Sequence, residues 1–266
     1  MKTLIQLISV LIVTLTAAAE PPPSLSAKDL AAKLSALQED GPSWVRMKMV
    51  VKPPAGTPKF SLQLQVKQRR TPKSTEVVYQ VLWPKARAGE SVLLRQSGNE
   101  PASGSLFTPP NTLRALEAPQ MQEALFGSDL SYADVLENFF AWENQTIVGT
   151  EVVGRVTCQI LESKPGKGQH SGYSGVRTWV DSRRLVPLRI EKFLPSGALV
   201  RRFVTTKVAT DDLRRSVPAN LTVSSPQKGS ATELDGSKLK HDVVLTDRDF
   251  TPEGIKEVTT PRQPAE

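Results

Sequence analysis

Val45-Arg-Met-Lys-Met-Val-Val51, Phe60-Ser-Leu-Gln-Leu-Gln-Val-Lys67 and Glu76-Val-Val-Tyr-Gln-Val-Leu-Trp83 decide the fold. In the first, Val45, Met47, Met49 and Val51 fall on one side, with Arg46 and Lys48 on the other. In the second, Phe60, Leu62, Leu64 and Val66 alternate with Ser61, Gln63, Gln65 and Lys67. Val77, Tyr79, Val81 and Trp83 make a third row. An apolar residue at every second position marks antiparallel strands with one dry and one wet face. Pro53-Pro-Ala-Gly-Thr-Pro58 supplies turn residues between the first two.

Outward from these rows the pattern changes. Upstream, Ser26 caps a helix whose Leu30, Leu34 and Leu37 recur at helical spacing until Gly41, with Asp29 in its first turn. Downstream, another strand is expected at 91–95. Short helical stretches are expected at 111–117 and 119–126, and from Ser131, where Asp134 completes a capping box. Strand signals resume at 145–148, 152–161, 175–181, 186–194 and 198–208, the last two joined by the hairpin turn Pro195-Ser-Gly197. After Asp211-Asp212 the chain turns polar, with a last strand expected at 243–245. Eight to ten strands with a few helices predict a mainly β fold: a strongly curved antiparallel sheet with helical cover. No shift in composition marks a second domain, so one domain is expected over 20–258, with a flexible tail over 259–266.

Met1-Lys2, the apolar run Leu4 to Leu15 and Ala17-Ala-Ala19 form the n-region, h-region and small-residue site of a secretory signal peptide, predicting cleavage after Ala19. The apolar run is too short for a bilayer core, which needs ~20 residues. No Cys follows the cleavage site, so no lipid anchor is expected and the mature chain is placed in the periplasm. Its single cysteine, Cys158, sits in a strand run and reads as a buried apolar side chain.

Composition narrows the function classes. Of 266 residues 39% are apolar, and there are two histidines, His170 and His241. One Cys excludes an intramolecular disulfide framework, and this inventory predicts no metal site and no cofactor. No P-loop, nucleophile elbow or spaced Ser-His-acid set is present, so no catalytic residue is expected. Both histidines read as surface residues. The net charge is +7, and the basic doublets Arg69-Arg70, Arg183-Arg184, Arg201-Arg202 and Arg214-Arg215 are dispersed. They read as solvated faces, with a basic rim for acidic lipid head groups or an acidic partner as the alternative. No nucleic-acid partner is expected.

Leu125-Phe-Gly-Ser-Asp-Leu-Ser-Tyr-Ala-Asp-Val-Leu136 resembles a signature of the bacterial outer-membrane lipoprotein-sorting proteins, the LolA-like family. Gly149-x-Glu151-x-x-Gly154-x-x-x-Cys158, Val176-x-x-Trp179-Val-Asp181 and Leu185-x-Pro187-Leu-Arg-x-Glu191 continue the resemblance. It implies an unclosed barrel around an apolar cavity with a helical lid, and a periplasmic carrier that moves lipoprotein acyl chains or another lipid toward the outer membrane. An inner-membrane donor and an outer-membrane receiver are the implied partners, and a monomer is expected. Val45, Met47, Met49, Phe60, Leu62, Leu64, Val66, Val77, Tyr79, Val81 and Trp83 then become the expected cavity lining; by pattern alone they fit an ordinary core equally. Carriers of this fold also rely on a basic residue near an early strand, a place Arg69 or Arg70 can take. Gly127, Ser128, Asp129, Ser131, Tyr132, Asp134, Trp179 and Asp181 match the signature, and Ser128 to Asp134 are expected to fix the chain as it re-enters the sheet. The alternative function is a periplasmic sensor or scaffold that binds an envelope protein.

Overall fold

A computed structural model of the chain describes residues 24–39, 41–54, 57–98 and 100–263. The expected leader, 1–19, and the last three residues of the expected tail lie outside this set. Helix α1 (Ala27–Gln38) begins where the sequence placed it, with Ser26 Oγ accepting from the Asp29 amide at 3.1 Å. Six strands follow: β1 (Gly41–Lys52), β2 (Phe60–Thr71), β3 (Ser74–Trp83), β4 (Ser91–Ser97), β5 (Ser103–Thr108) and β6 (Thr112–Leu116). Residues 117–143 form 3-10 turns and the short helix α2 (Tyr132–Leu136). Seven more strands complete the fold: β7 (Asn144–Val153), β8 (Val156–Lys164), β9 (Gly175–Asp181), β10 (Val186–Phe193), β11 (Leu199–Thr210), β12 (Ser216–Ser225) and β13 (Ser230–His241).

All thirteen strands form one antiparallel sheet in the order β6-β5-β4-β3-β2-β1-β13-β12-β11-β10-β9-β8-β7. Two meanders are therefore joined where β1 pairs with β13, for example Met49 with Leu234. The outer edges, β6 and β7, do not pair with each other, and the sheet stays open. Laid flat, thirteen strands would span roughly 58 Å at ~4.8 Å per strand. Yet residues of β1–β4 and of β8, β9 and β11–β13 share one buried cluster with α1, α2 and the 3-10 turns. The sheet therefore curls around the helical segment, as an unclosed barrel with a lid.

Several local expectations change. The stretch 111–117 forms β6, because after Pro109-Pro-Asn111 it returns along β5, with Thr112 opposite Thr108. The run 152–161 is broken at Gly154, whose φ of +63° makes the β7–β8 turn. The polar stretch after Asp212 holds β12 and β13, while Val244 makes only an isolated bridge to Arg262. Strand β13 has few apolar residues to mark it; Thr232, Leu234 and His241 are buried among its described residues.

The face read as wet is covered over β2–β4. Phe250 and Ile255, from the chain after β13, pack with Val78, Leu93 and Phe107 as a second small core. Lys67, only 2% exposed, reaches Asp249 at 2.6 Å and Thr259 Oγ1 at 2.7 Å. Gln80 donates to the carbonyls of Ile255 and Glu257, and Gln65 to that of Thr259. Thr259 and Arg262, at the start of the stretch read as a tail, are thus tied to the rest of the domain.

Phe250→Ala is expected to cost about 3 kcal/mol, as for other buried Phe truncations. Val258→Ala, at an exposed position, should change stability by less than ~0.5 kcal/mol. Urea unfolding of the two variants checks both.

Candidate functional site

The lid segment is held by charge inside the sheet. Phe126 and Gly127, at φ 52° and 81°, turn the chain so that Asp129 meets β13. Its carboxylate accepts from Ser230 Oγ at 2.5 Å and Thr232 Oγ1 at 2.8 Å. Ser128 Oγ accepts from the Leu130 amide. Ser131 and Asp134 form the expected reciprocal cap of α2. Tyr132 is buried in the main core.

Asp134 does more than cap. Its side chain is fully buried, 2.9 Å from Lys192 Nζ and 3.3 Å from Arg201 Nε, and it accepts from Tyr173 Oη at 2.7 Å. Burial alone would raise its pKa, but the Lys192 charge and the Ser131, Lys192 and Tyr173 hydrogen bonds outweigh it and hold the carboxyl below its ordinary value. Lys192 is itself 1% exposed and lies 4.7 Å from the Tyr173 ring and 5.5 Å from those of Phe139 and Phe203. Nearby, burial pushes the Glu137 carboxyl up to about 7, with Lys192 and the Ser171 hydroxyl offsetting part of the effect. On the other side, Arg70 donates to the carbonyls of Val135 and Leu136 at 2.7 and 3.2 Å, closing the C-terminal end of α2. Arg69 instead pairs with Glu76 and Asp247.

Beside this lid an apolar cavity of about 250 Å³ opens between α1 and the second half of the sheet. Leu34 and Leu37 of α1, Phe140, Ile190, Phe203, Val217, Leu221 and Leu239 are among its walls. Its size is just under the ~300–1,000 Å³ usual for small-molecule sites. Gln68, Arg215 and His241 are among its polar lining residues. His241 is buried, contrary to its reading as a surface residue, because Asp212 grips both its amide and its Nδ1 while Arg215 lies 2.8 Å from Nε2. Asp211, Asp212 and His241 place three possible ligand atoms within 4.8 Å. Both ring nitrogens of His241 are already engaged, so the cluster reads as an ion-pair network. His170 is exposed, as expected.

None of the eleven residues expected to line the cavity borders this one. Met49, Leu62, Leu64, Val66, Val77 and Val81 are buried, and Met47, Phe60 and Tyr79 pack against the main core. Val45 is half-buried. Trp83 is 53% exposed. A bulge explains it: Leu64 pairs with Val81 but Gln63 with Trp83, so one extra β3 residue inverts the alternation and puts Trp83 on the side of exposed Gln63. Part of the lining that sequence reasoning missed lies on strands it did find, with Ile190 and Phe203 in the expected 186–194 and 198–208 runs; Val217, Leu221 and Leu239 lie on β12 and β13, which it did not find. Of the remaining signature residues, Trp179 donates to Glu151 at 2.7 Å under the Arg189 guanidinium, and Asp181 caps the Arg183 and Arg184 amides of the β9–β10 turn. Cys158 is buried, its thiol pushed up to about 11 first by burial.

A family model described as "Uncharacterized protein" matches residues 73–257. The chain belongs to that family. Its fold is LolA-like. A DUF1329 family protein from Desulfovibrio piger superposes with a TM-score of 0.78 at 22% identity, covering 85% of this chain and 95% of that one. A domain assigned to the outer membrane lipoprotein-sorting proteins, from Vibrio parahaemolyticus, gives 0.77 at 19% identity, covering 87% and 98%. A LolA superfamily protein from Nitrosomonas europaea gives 0.68 at 18% identity, covering 86% and 98%. No curated protein matches the sequence. Among the described residues of this family member no helix is long and apolar enough to cross a membrane.

Asp134→Asn leaves Lys192 buried beside a neutral amide and is expected to cost about 3–5 kcal/mol, with Asp134→Asn/Lys192→Met recovering much of it in urea unfolding. Glu137, with its folded pKa raised from 4.5 to about 7, stabilises the fold fully below pH 4.5. That contribution is lost as pH rises through about 7, because the folded state holds the proton that the unfolded state releases. Glu137→Gln should flatten this decline in a thermal-unfolding series across pH 4.5 to 8.

Proposed function

We propose that this protein is a periplasmic carrier that takes an acyl chain of a lipoprotein or another lipid into the cavity between α1 and β10–β13 and moves it toward the outer membrane. The observation that carries this reading is the cavity itself: an open, apolar-walled space beside a lid held by a few polar ties, on a LolA-like fold. The leader read at 1–19 and the lipoprotein-sorting description of the Vibrio domain agree with it. The reading assigns no chemical step to the chain.

Burying a sixteen-carbon chain at ~0.8 kcal/mol per methylene is worth about 12 kcal/mol gross. The cavity as it stands is too small for a whole chain of that length, so uptake requires α1 or the 139–141 turn to swing away from Phe203 and Ile190. Release then reverses that motion at a receiver. Arg70 at the end of α2 is one tie such a motion loads.

Native mass spectrometry of the mature protein, with titration of a fluorescent fatty acid, tests the reading. A co-purifying or exchangeable lipid is expected, and Ile190→Trp, which fills the cavity, should weaken uptake at least tenfold while leaving the fold intact by circular dichroism. An empty cavity that takes up no fatty acid overturns the carrier reading. A stoichiometric envelope protein recovered with that empty cavity supports the sensor or scaffold function instead.

A further inference from the structure

Three hairpin tips stand at one end of the sheet. They are Gly154-Arg155 between β7 and β8, Ser182-Arg-Arg-Leu185 between β9 and β10, and Asp211-Asp-Leu-Arg-Arg215 between β11 and β12. Leu185 and Arg215, the last residues of two of these tips, themselves border the cavity. Arg155, Arg183 and Arg184 line one shallow groove beside it.

The carboxylates on these tips all have partners. Asp181 holds Arg184 at 2.5 Å, Asp211 holds Arg215 at 3.0 Å, and Asp212 holds His241. Arg155, Arg183 and Arg214 are exposed and make no ion pair among the described residues. Leu213, next to Arg214, is 43% exposed. It occupies a tight turn that places the following residue, Arg214, at φ 61°. The exposed carboxylates at this end are Asp212, bonded to His241, Glu151, paired with Arg189, and Asp242, which follows His241. The three tips therefore carry five arginines against two aspartates, expose one leucine, and include two residues that border the apolar cavity.

We propose that this end of the sheet docks on an anionic phospholipid surface and so presents the cavity to the bilayer. The purpose of the contact rests on the carrier reading; the contact itself does not. Basic side chains at an anionic interface each strengthen binding by ~1 kcal/mol, about fivefold. An exposed leucine between them can enter the head-group region. The docking is electrostatic first, so it weakens as salt screens it.

Flotation of the full-length mature protein with phosphatidylcholine vesicles, with and without phosphatidylglycerol, tests the proposal. Binding is expected with phosphatidylglycerol at low salt and lost at high salt. Arg183→Gln/Arg214→Gln should weaken it about thirtyfold, fivefold per arginine, and Leu213→Ser severalfold. Lys59→Gln/Lys85→Gln, of equal charge but on exposed turns at the opposite end of the sheet, should leave it unchanged. All these positions are exposed, so thermal unfolding is expected to match wild type. Fatty-acid uptake without vesicles should be the same in the arginine variants as in wild type; loss of uptake in every protein with flotation intact overturns the carrier reading alone. No binding to phosphatidylglycerol vesicles, or equal weakening by the lysine and arginine pairs, overturns the docking surface. So does binding to an acidic polypeptide such as polyglutamate with none to vesicles.

Discussion

A single buried carboxylate organises the inside of this protein. Asp134 receives Lys192 from β10, Arg201 from β11, the Tyr173 hydroxyl from the loop before β9, and the Ser131 amide at the start of its own helix. Removing any charge from that group leaves the others unpaired in a dry interior, which is far more costly than the pair is favourable. The group therefore works as a lock: it accepts one placement of the lid against one register of the sheet. The aromatic rings around Lys192 tighten the lock, since Phe139 and Phe203 belong to the lid and to β11.

The same lock explains why the sheet can stay open. An open sheet leaves two edges, and here β6 and β7 are joined in sequence by the lid segment that fills the interior. Asp129 ties that segment to β13, and Arg70 ties it to β2. Both meanders are thus held by one short stretch of chain, and the pairing of β1 with β13 needs no further closure. The cavity lies where the lid segment stops covering the sheet. Its walls gather apolar side chains of α1 and β10–β13, and Arg215 and His241, tied to Asp211 and Asp212, border it where β12 begins and β13 ends.

Some of the site was legible in the residues and some was not. The capping box at Ser131 and Asp134 was, because it needs only neighbours three positions apart. The second role of Asp134 was not, because Lys192 and Arg201 are about sixty residues away in the chain. Trp83 was assigned to the dry face by strict alternation, and one bulge residue reversed it. Lys67 and Gln65 were assigned to solvent by the same rule, and the chain after β13 covered them. His241 looked like a residue in a polar stretch, and two acidic neighbours and an arginine buried it.

By itself the sequence determined what depends on local geometry: the helix after Ser26, the strand rows, the turn at Gly197, and the chemistry of a chain rich in alternating apolar residues and poor in histidine and cysteine. The tertiary structure alone decided which row faces the lid, which strands meet at the centre, and which residues surround the cavity. These follow from pairings between segments far apart in the chain. Period and propensity act over a few residues, whereas register, curvature and the meeting of buried charges are set only when the whole sheet closes on its core.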